Sequence, residues 1–259
     1  MKPEIMKGSS NYSNSSNCSN CTQPPLFIEQ RTRRPYCSRA CYRRNWMINV
    51  PDNATLSQLT IPGTHDSYAY EPTAIPFVQT QEWNVTQQLE RGIRYLDIRI
   101  GSDDLGIYHG IVYLNAQWSD VVHELRSFLA QYPSEVILLR IKNEQFFNSI
   151  TIPFDDSLFI REEGTVGAMR GRILLVKHKN VLDNHIVTWV GLEEKIRDCL
   201  RHLRGGNITY FSGSVGMLPR TVAEAANGAL LVLDERLGAL GVVVMDFPTV
   251  ELLDKLLTN

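Results

Sequence analysis

Leu59-Thr60-Ile61-Pro62-Gly63-Thr64-His65-Asp66-Ser67 is a short apolar run that stops at Pro-Gly and then sets a histidine beside a carboxylate. It reads as a strand passing into a loop, and in a barrel of parallel strands the loops that follow the strands carry the chemistry. Two further apolar runs end in the same way. Ile93 to Ile100 carries Asp97 and Arg99, and Ile107-Tyr108 stops at His109-Gly110. Two histidines, an arginine and carboxylates at strand ends are a set suited to a phosphoester: acid, base and fixed cation.

Outward from this stretch the chain alternates strands and helices. Thr86 to Arg91 reads as a helix stopped by Gly92, and Val121, Val122, Leu125, Phe128 and Leu129 share one face of a second helix closed by Pro133. Val136 to Ile141 is a continuous apolar run of the kind found in buried parallel sheets, and it delivers Lys142 and Glu144 to its end. Ile173 to Val176 is another, ending in Lys177-His178. Glu193 to Leu203 reads as helix, Ile208 to Phe211 as strand, and Val222 to Leu237 as helix. Val242 to Met245 is a last strand ending in Asp246, and Val250 to Leu257 a last helix. Repeated β-then-α units predict an α/β fold, a TIM-type (β/α) barrel, irregular or incomplete.

The 259 residues, 43% hydrophobic and 21% charged, suffice for one sizeable core and a small appendage. A net charge of -2 argues against bulk nucleic-acid binding, so any contact with an anionic surface has to be local. No apolar run is long enough to span a bilayer, and Met1 to Ser16 lacks the apolar core of a secretory signal. The expectation is a cytoplasmic protein. Sequons at Asn11, Asn14, Asn17, Asn20, Asn53, Asn84 and Asn207 point the other way, towards secretion, but a chain rich in Asn, Ser and Thr produces such triplets by chance.

The N-terminal part differs in character. Residues 1–17 read as a disordered arm, Ser- and Asn-rich, and 18–45 as a separate small segment with Cys18-x2-Cys21 and Cys37-x3-Cys41. Two close thiol pairs separated by a loop suit structural Zn²⁺; the alternatives are two disulfides or free thiols. The lack of a signal segment favours zinc over disulfides. The phrase Tyr36-Cys37-Ser38-Arg39-Ala40-Cys41 resembles treble-clef zinc fingers, whose partner stays open. The flanking Arg31, Arg33, Arg34, Arg39, Arg43 and Arg44 form either a lipid-headgroup contact or a solvated face.

From Trp46 to Asn259 the chain resembles the X domain of phosphatidylinositol-specific phospholipases C, most closely the bacterial type. The resemblance rests on Ile61 to Ser67, Arg91 to Arg99, His109-Gly110, Pro133-Ser134-Glu135, Lys142-x-Glu144 and Val243-Val244-Met245-Asp246, in that order. It implies a lyase that releases diacylglycerol and an inositol 1,2-cyclic phosphate. It assigns His65 as base, oriented by Asp246, and His109 as acid with Asp66 as its partner. Arg99 becomes the phosphate clamp, Lys142 a ligand of the inositol hydroxyls, and Asp97 a support for Arg99 or the ring.

Animal-type members hold Ca²⁺ through an Asn beside the first histidine and an acidic residue where Arg99 stands. With Asp66 and Arg99 in those places, the resemblance implies no catalytic metal. Lys177-His178 stands where the bacterial type has Lys-Arg, so the inositol contact assigned to His178 is altered, and Tyr210 is the candidate for the stacking tyrosine. Ile75, Pro76 and Phe77 match a short membrane-touching helix, which makes a phospholipid surface the expected transient partner. Two other readings stand beside it: a Mg²⁺-dependent barrel phosphodiesterase, disfavoured by Arg99, and a catalytically inactive lipid- or protein-binding adaptor, disfavoured by the intact set His65, His109, Arg99 and Asp246.

Overall fold

The computed structural model describes residues 39–73, 75–101, 104–144, 152–177, 181–182, 191–213, 218–234 and 238–258. Its backbone is a sheet of parallel strands wrapped into a barrel with helices outside. The strands are β1 (Thr60–Thr64), β2 (Tyr95–Ile100), β3 (Gly106–His109), β4 (Val112–Gln117), β5 (Ile137–Asn143), β6 (Phe159–Ile160), β7 (Ile173–Leu175), β8 (Val181–Leu182), β9 (Ile208–Phe211) and β10 (Gly241–Met245). They run in the order β6-β7-β5-β2-β1-β10-β9-β8. β6 and β8 stand at the two ends of that path, so among the described residues the barrel is open on that side. The antiparallel hairpin β3–β4 branches from β2, where Ile107 pairs with Ile100.

The helices are α1 (Arg39–Arg44), α2 (Val85–Glu90), α3 (Trp118–Gln131), α4 (Val166–Met169), α5 (Leu192–His202), α6 (Pro219–Leu231) and α7 (Val250–Thr258). The start of α2 is set by Asn84, which accepts the Gln87 N–H at 2.8 Å while the Gln87 side chain takes the Asn84 N–H at 3.2 Å. Gly92 follows at φ +100°, where a Cβ would meet Leu257 Cδ1 at 2.7 Å. On α3, Val121, Leu125, Phe128 and Leu129 are buried, as their spacing predicts.

Successive strand residues alternate between two cores. Leu96, Ile98, Ile100, Ile137, Leu139, Ile173, Phe211, Val243 and Met245 face the helices. Ile61, Tyr95, Leu138, Leu174, Ile208, Tyr210, Val242 and Val244 face the lumen. At Gly63 the lumen is so tight that a Cβ would come 2.8 Å from Tyr95 Cβ.

Two sequence motifs that travel with the site turn out to hold the floor of the barrel. Arg94 and Glu135, both fully buried, pair at 2.7 Å, and Arg94 also donates to the Leu89, Ile93 and Arg44 carbonyls. The arginines of α1 serve the same end: Arg43 reaches Asp254 on α7 at 2.5 Å, and Arg44 lies 3.8 Å from Glu90. α1 is therefore docked on the barrel by ion pairs.

Candidate active site

The lumen-facing register decides which side chains meet. On β2 the residues in phase with Tyr95 are Asp97 and Arg99; on β5 those in phase with Leu138 are Arg140 and Lys142, with Glu144 just beyond. His65 continues the phase of Ile61 and Gly63, and Asp246 that of Val242 and Val244. Alternation thus sends one residue in two into the barrel, and at the C-terminal ends of the strands every one of these is polar.

His65 and Asp246 are buried together, with Nδ1 2.9 Å from the Asp246 carboxylate. Arg99 Nη2 lies 2.6 Å from His65 Nε2. A guanidinium can only donate, so Nε2 is the acceptor and the imidazole carries its proton on Nδ1, towards Asp246. Arg99 Nη1 also meets Glu144 at 2.7 Å and Asp66 at 3.2 Å, and its Nη2 lies 3.5 Å from Asp97. His109 stands at the rim, its side chain 17% exposed, with Nδ1 2.7 Å from the Val78 carbonyl and 3.4 Å from Asp66. The Val78 carbonyl is thus the nearer partner of His109, and Asp66 the second.

Two backbone positions next to the dyad are left-handed without being glycine: Asp66 at φ +46° and Phe247 at φ +43°. Conformations of this kind persist only where the surroundings over-determine them. Here they do. Gln81 Nε2 donates to the His65 and Met245 carbonyls at 2.7 and 3.1 Å, and Thr80 Oγ1 to the Asp66 carbonyl at 3.0 Å. Buried Asn227 donates to the Asp246 and Phe247 carbonyls, each at 3.0 Å.

Burial raises the Asp66 carboxyl to about 6, with Arg99 and His109 pulling it down only in part. Burial, and then the neighbouring Asp66, push Asp246 well above the usual carboxylate range. For Arg99 burial acts downward but is outweighed by Asp66, Asp97 and Glu144, so its affinity for the proton rises and its charge is permanent. The site is a fixed cation ringed by carboxylates, with one imidazole inside the ring and one at its edge.

Sequence reasoning placed His65, Asp66, Asp97, Arg99, His109 and Asp246, and the structure brings all of them together. Lys142 is a third exposed and 3.4 Å from Glu144, at the mouth. His178 lies outside the described residues, and its neighbour Lys177 is exposed and paired with Glu162 at 3.2 Å. Tyr210 does not offer a face for stacking: it is fully buried beneath His65, edge-on at 6.0 Å. Its hydroxyl accepts from Arg140 at 2.7 Å and lies 2.8 Å from the Tyr95 hydroxyl. Burial, and then Asp97, raise the Tyr210 hydroxyl well above its ordinary value. Arg140, 3.5 Å from Asp97, and Glu144 were read only as a strand residue and a motif end; their lumen-facing phase was the signal that assigns them here. The stretch with Ile75 and Phe77 forms turns, not a helix, and both side chains are about half exposed.

The zinc expectation is corrected at Cys41, which is disulfide-bonded and so has no thiolate to offer a metal. Cys18, Cys21 and Cys37 lie outside the described residues, and among the described residues no cluster of metal-ligating side chains occurs.

Residues 53–158 match the family model "Phosphatidylinositol-specific phospholipase C, X domain". A 1-phosphatidylinositol phosphodiesterase of Listeria monocytogenes is 28% identical, covering 83% of this chain and 84% of its own length. The human PI-PLC X domain-containing protein 2 is 37% identical over 37% of this chain and 42% of its own. Among solved structures, the Listeria phosphatidylinositol-specific phospholipase C superposes with a TM-score of 0.70 at 26% identity, covering 83% of this chain and 98% of that one. The Listeria and Staphylococcus aureus enzymes are secreted, which overturns the expectation of a cytoplasmic protein. The disulfide at Cys41 agrees with that correction, since such bonds persist in oxidising compartments.

Proposed function

We propose, from the match of residues 53–158 to the phosphatidylinositol-specific phospholipase C X-domain family and the likeness to the Listeria enzyme, that the chain is a phosphoric diester lyase that cleaves phosphatidylinositol to diacylglycerol and inositol 1,2-cyclic phosphate. The observation that carries the reading is the His65 imidazole, held between Asp246 at 2.9 Å and Arg99 at 2.6 Å, with His109 across Asp66.

The substrate's own 2-hydroxyl is the nucleophile, because it is already tethered beside the phosphorus. His65 Nε2 removes the hydroxyl proton, and Asp246 steadies the imidazolium that forms. The freed oxygen bonds to phosphorus and closes the cyclic ester. The bond from phosphorus to the diacylglycerol oxygen breaks, and His109 gives that oxygen its proton. With Nδ1–H directed at the Val78 carbonyl, the transferred proton comes from Nε2. Asp66 at 3.4 Å stabilises the protonated ring.

Arg99 binds the phosphate as a two-pronged donor and absorbs the charge that builds on its oxygens. Its own fixed charge stands among Asp66, Asp97 and Glu144, so catalysis in this reading needs no metal. Asp97, fully buried, serves Arg99 and not the inositol ring. Lys142, at the mouth, is the candidate for the inositol hydroxyls, and a phospholipid surface is the transient partner.

The test is cleavage of phosphatidylinositol in mixed micelles with excess EDTA, with the cyclic phosphate followed by phosphorus NMR. Wild type is expected to yield the cyclic product and His109→Ala to yield none. Activity that returns only with Mg²⁺ or Ca²⁺ would overturn the assignment of Arg99, and silence under all conditions would favour the adaptor reading.

A further inference from the structure

The residues from Val78 to Gln81 lie in the connection between β1 and α2 and carry no group of the proposed chemistry, yet they touch both halves of it. At one end the Val78 carbonyl takes His109 Nδ1 at 2.7 Å. At the other, the buried Gln81 side chain places Nε2 2.7 Å from the His65 carbonyl and 3.1 Å from that of Met245. The segment is itself fixed, since the Thr80 and Gln81 N–H groups both donate to the Ala69 carbonyl, at 2.9 and 3.1 Å.

His65 and Asp246 stand on neighbouring parallel strands, one residue past the registered pair Thr64 and Met245. The His65 N–H still donates to the Met245 carbonyl at 3.0 Å. Beyond that rung both chains turn left-handed, Asp66 at φ +46° and Phe247 at φ +43°. The imidazole and the carboxylate therefore have to meet where the regular ladder gives way to two turns. A side-chain amide carries two N–H donors, and that of Gln81 reaches one carbonyl on each strand, as a further rung would. Thr80 works on the same two chains: its carbonyl takes the Phe247 N–H at 2.9 Å, and its Oγ1 donates to the Asp66 carbonyl at 3.0 Å. Asn227, by contrast, holds the Asp246 and Phe247 carbonyls, on one chain of the pair.

On these grounds, and resting on the lyase reading above, we infer that Gln81 is a positioning residue of the reaction: its amide fixes the ends of β1 and β10 at the spacing that lets His65 Nδ1 bond Asp246 at 2.9 Å, and so keeps the base aligned. It acts through His65 and Asp246, without touching substrate. The segment that holds the acid thus also spaces the base from its carboxylate.

The test compares the full wild-type chain with Gln81→Met, which keeps the length of the side chain but offers no donor. Gln81→Asn, which draws the amide back by one carbon, takes its place if Gln81→Met does not fold. With a short-chain phosphatidylinositol kept monomeric in solution, kcat is expected to fall about tenfold to a hundredfold at nearly constant KM, the range for a small misplacement of a reacting group. In the Asp246→Asn background the same change should cost less than about threefold, because the alignment it protects is already lost. Proton NMR gives a reading independent of turnover. The downfield resonance of the His65 Nδ1 proton, identified by its disappearance in His65→Ala, should move upfield or exchange faster in Gln81→Met. An unmoved resonance would overturn the inference, as would a kcat loss equally large in the Asp246→Asn background. So would a lowered melting temperature with kcat unchanged. If wild type cleaves nothing the lyase reading fails, and the resonance alone decides whether Gln81 positions His65.

Discussion

Arg99 Nη2 lies 2.6 Å from His65 Nε2, so the proposed clamp and the proposed base share one hydrogen bond. A phosphate oxygen arriving between them takes the guanidinium from the imidazole, and the nitrogen lone pair becomes available to the hydroxyl proton at that moment. Glu144 at 2.7 Å keeps the other prong of Arg99 in place during the exchange.

This shared contact makes the guanidinium's shape as important as its charge. Arg99→Lys keeps a cation but loses the fork, and an ammonium cannot face Glu144, Asp97 and a phosphate at once. We expect kcat to fall about 10²–10³-fold, the range for losing a preorganised charge-stabilising donor. Steady-state kinetics on a monomeric short-chain substrate will show it, and activity near wild type would refute the role.

Asp246→Asn should leave the imidazole in place but remove the charge that steadies its protonated form. A drop in kcat of about 10²–10⁴-fold, with KM nearly constant, is expected. A KM effect without a kcat effect would mean that Asp246 positions substrate instead.

Asp66 carries a stability cost that can be measured. Its carboxyl sits at about 6 in the folded protein against an ordinary 3.8. The folded state therefore holds this proton more tightly than the unfolded chain, and stability falls as pH rises from about 3.8 to 6. Asp66→Asn should relieve on the order of 3 kcal/mol above that window, for a fully buried group, and nothing below it. Thermal melts at pH 8 and pH 4 give the comparison: a gain at pH 8 that vanishes at pH 4 is expected. The variant should also lose the limb near pH 6 in the rate profile, because His109 loses its charged partner.

Arg140 should act through the site without touching substrate. It lies 3.5 Å from Asp97 and 2.7 Å from the Tyr210 hydroxyl, and so adds a second fixed cation beneath the carboxylate ring. Arg140→Met is expected to lower kcat by about tenfold or more, with partial rescue in Arg140→Lys. Equal activity of the two variants would reduce Arg140 to packing.

Glu135→Ala tests the opposite case, a residue that belongs to the motif but not to the chemistry. Stranding the buried Arg94 should cost about 3–5 kcal/mol, read from denaturant unfolding, while the folded fraction keeps its specific activity. A selective loss of kcat at unchanged stability would contradict this assignment.

How far the chain could be read without coordinates depends on the range of the interactions involved. β7, β9 and β10 were legible within a residue because a strand buried on both faces is written locally as an apolar run, and α3 because its stripe repeats every turn, whereas β1 runs on through Pro62 and Gly63 to Thr64, past the Pro-Gly at which the apolar run stops. His65, Asp66, His109 and Asp246 were legible because each stands at the end of an apolar run, and Asp97 and Arg99 because they are the charged residues inside one. β4 was missed, since its half-exposed Val112 to Gln117 has no continuous apolar signal.

What the sequence determined by itself is the alternation of strands and helices, and which polar residues stand at the strand ends, because both are matters of neighbouring residues along the chain. Tertiary structure alone decided which of those polar groups touch. The Arg99–His65 contact joins β1 to β2, Arg140–Tyr210 joins β5 to β9, and the Val78 carbonyl takes His109 ahead of Asp66. It also decided that Tyr210 lies under the site instead of stacking over it, and that Cys41 is bonded to sulfur instead of metal. These outcomes depend on strand register and barrel closure, which bring together residues far apart in the chain.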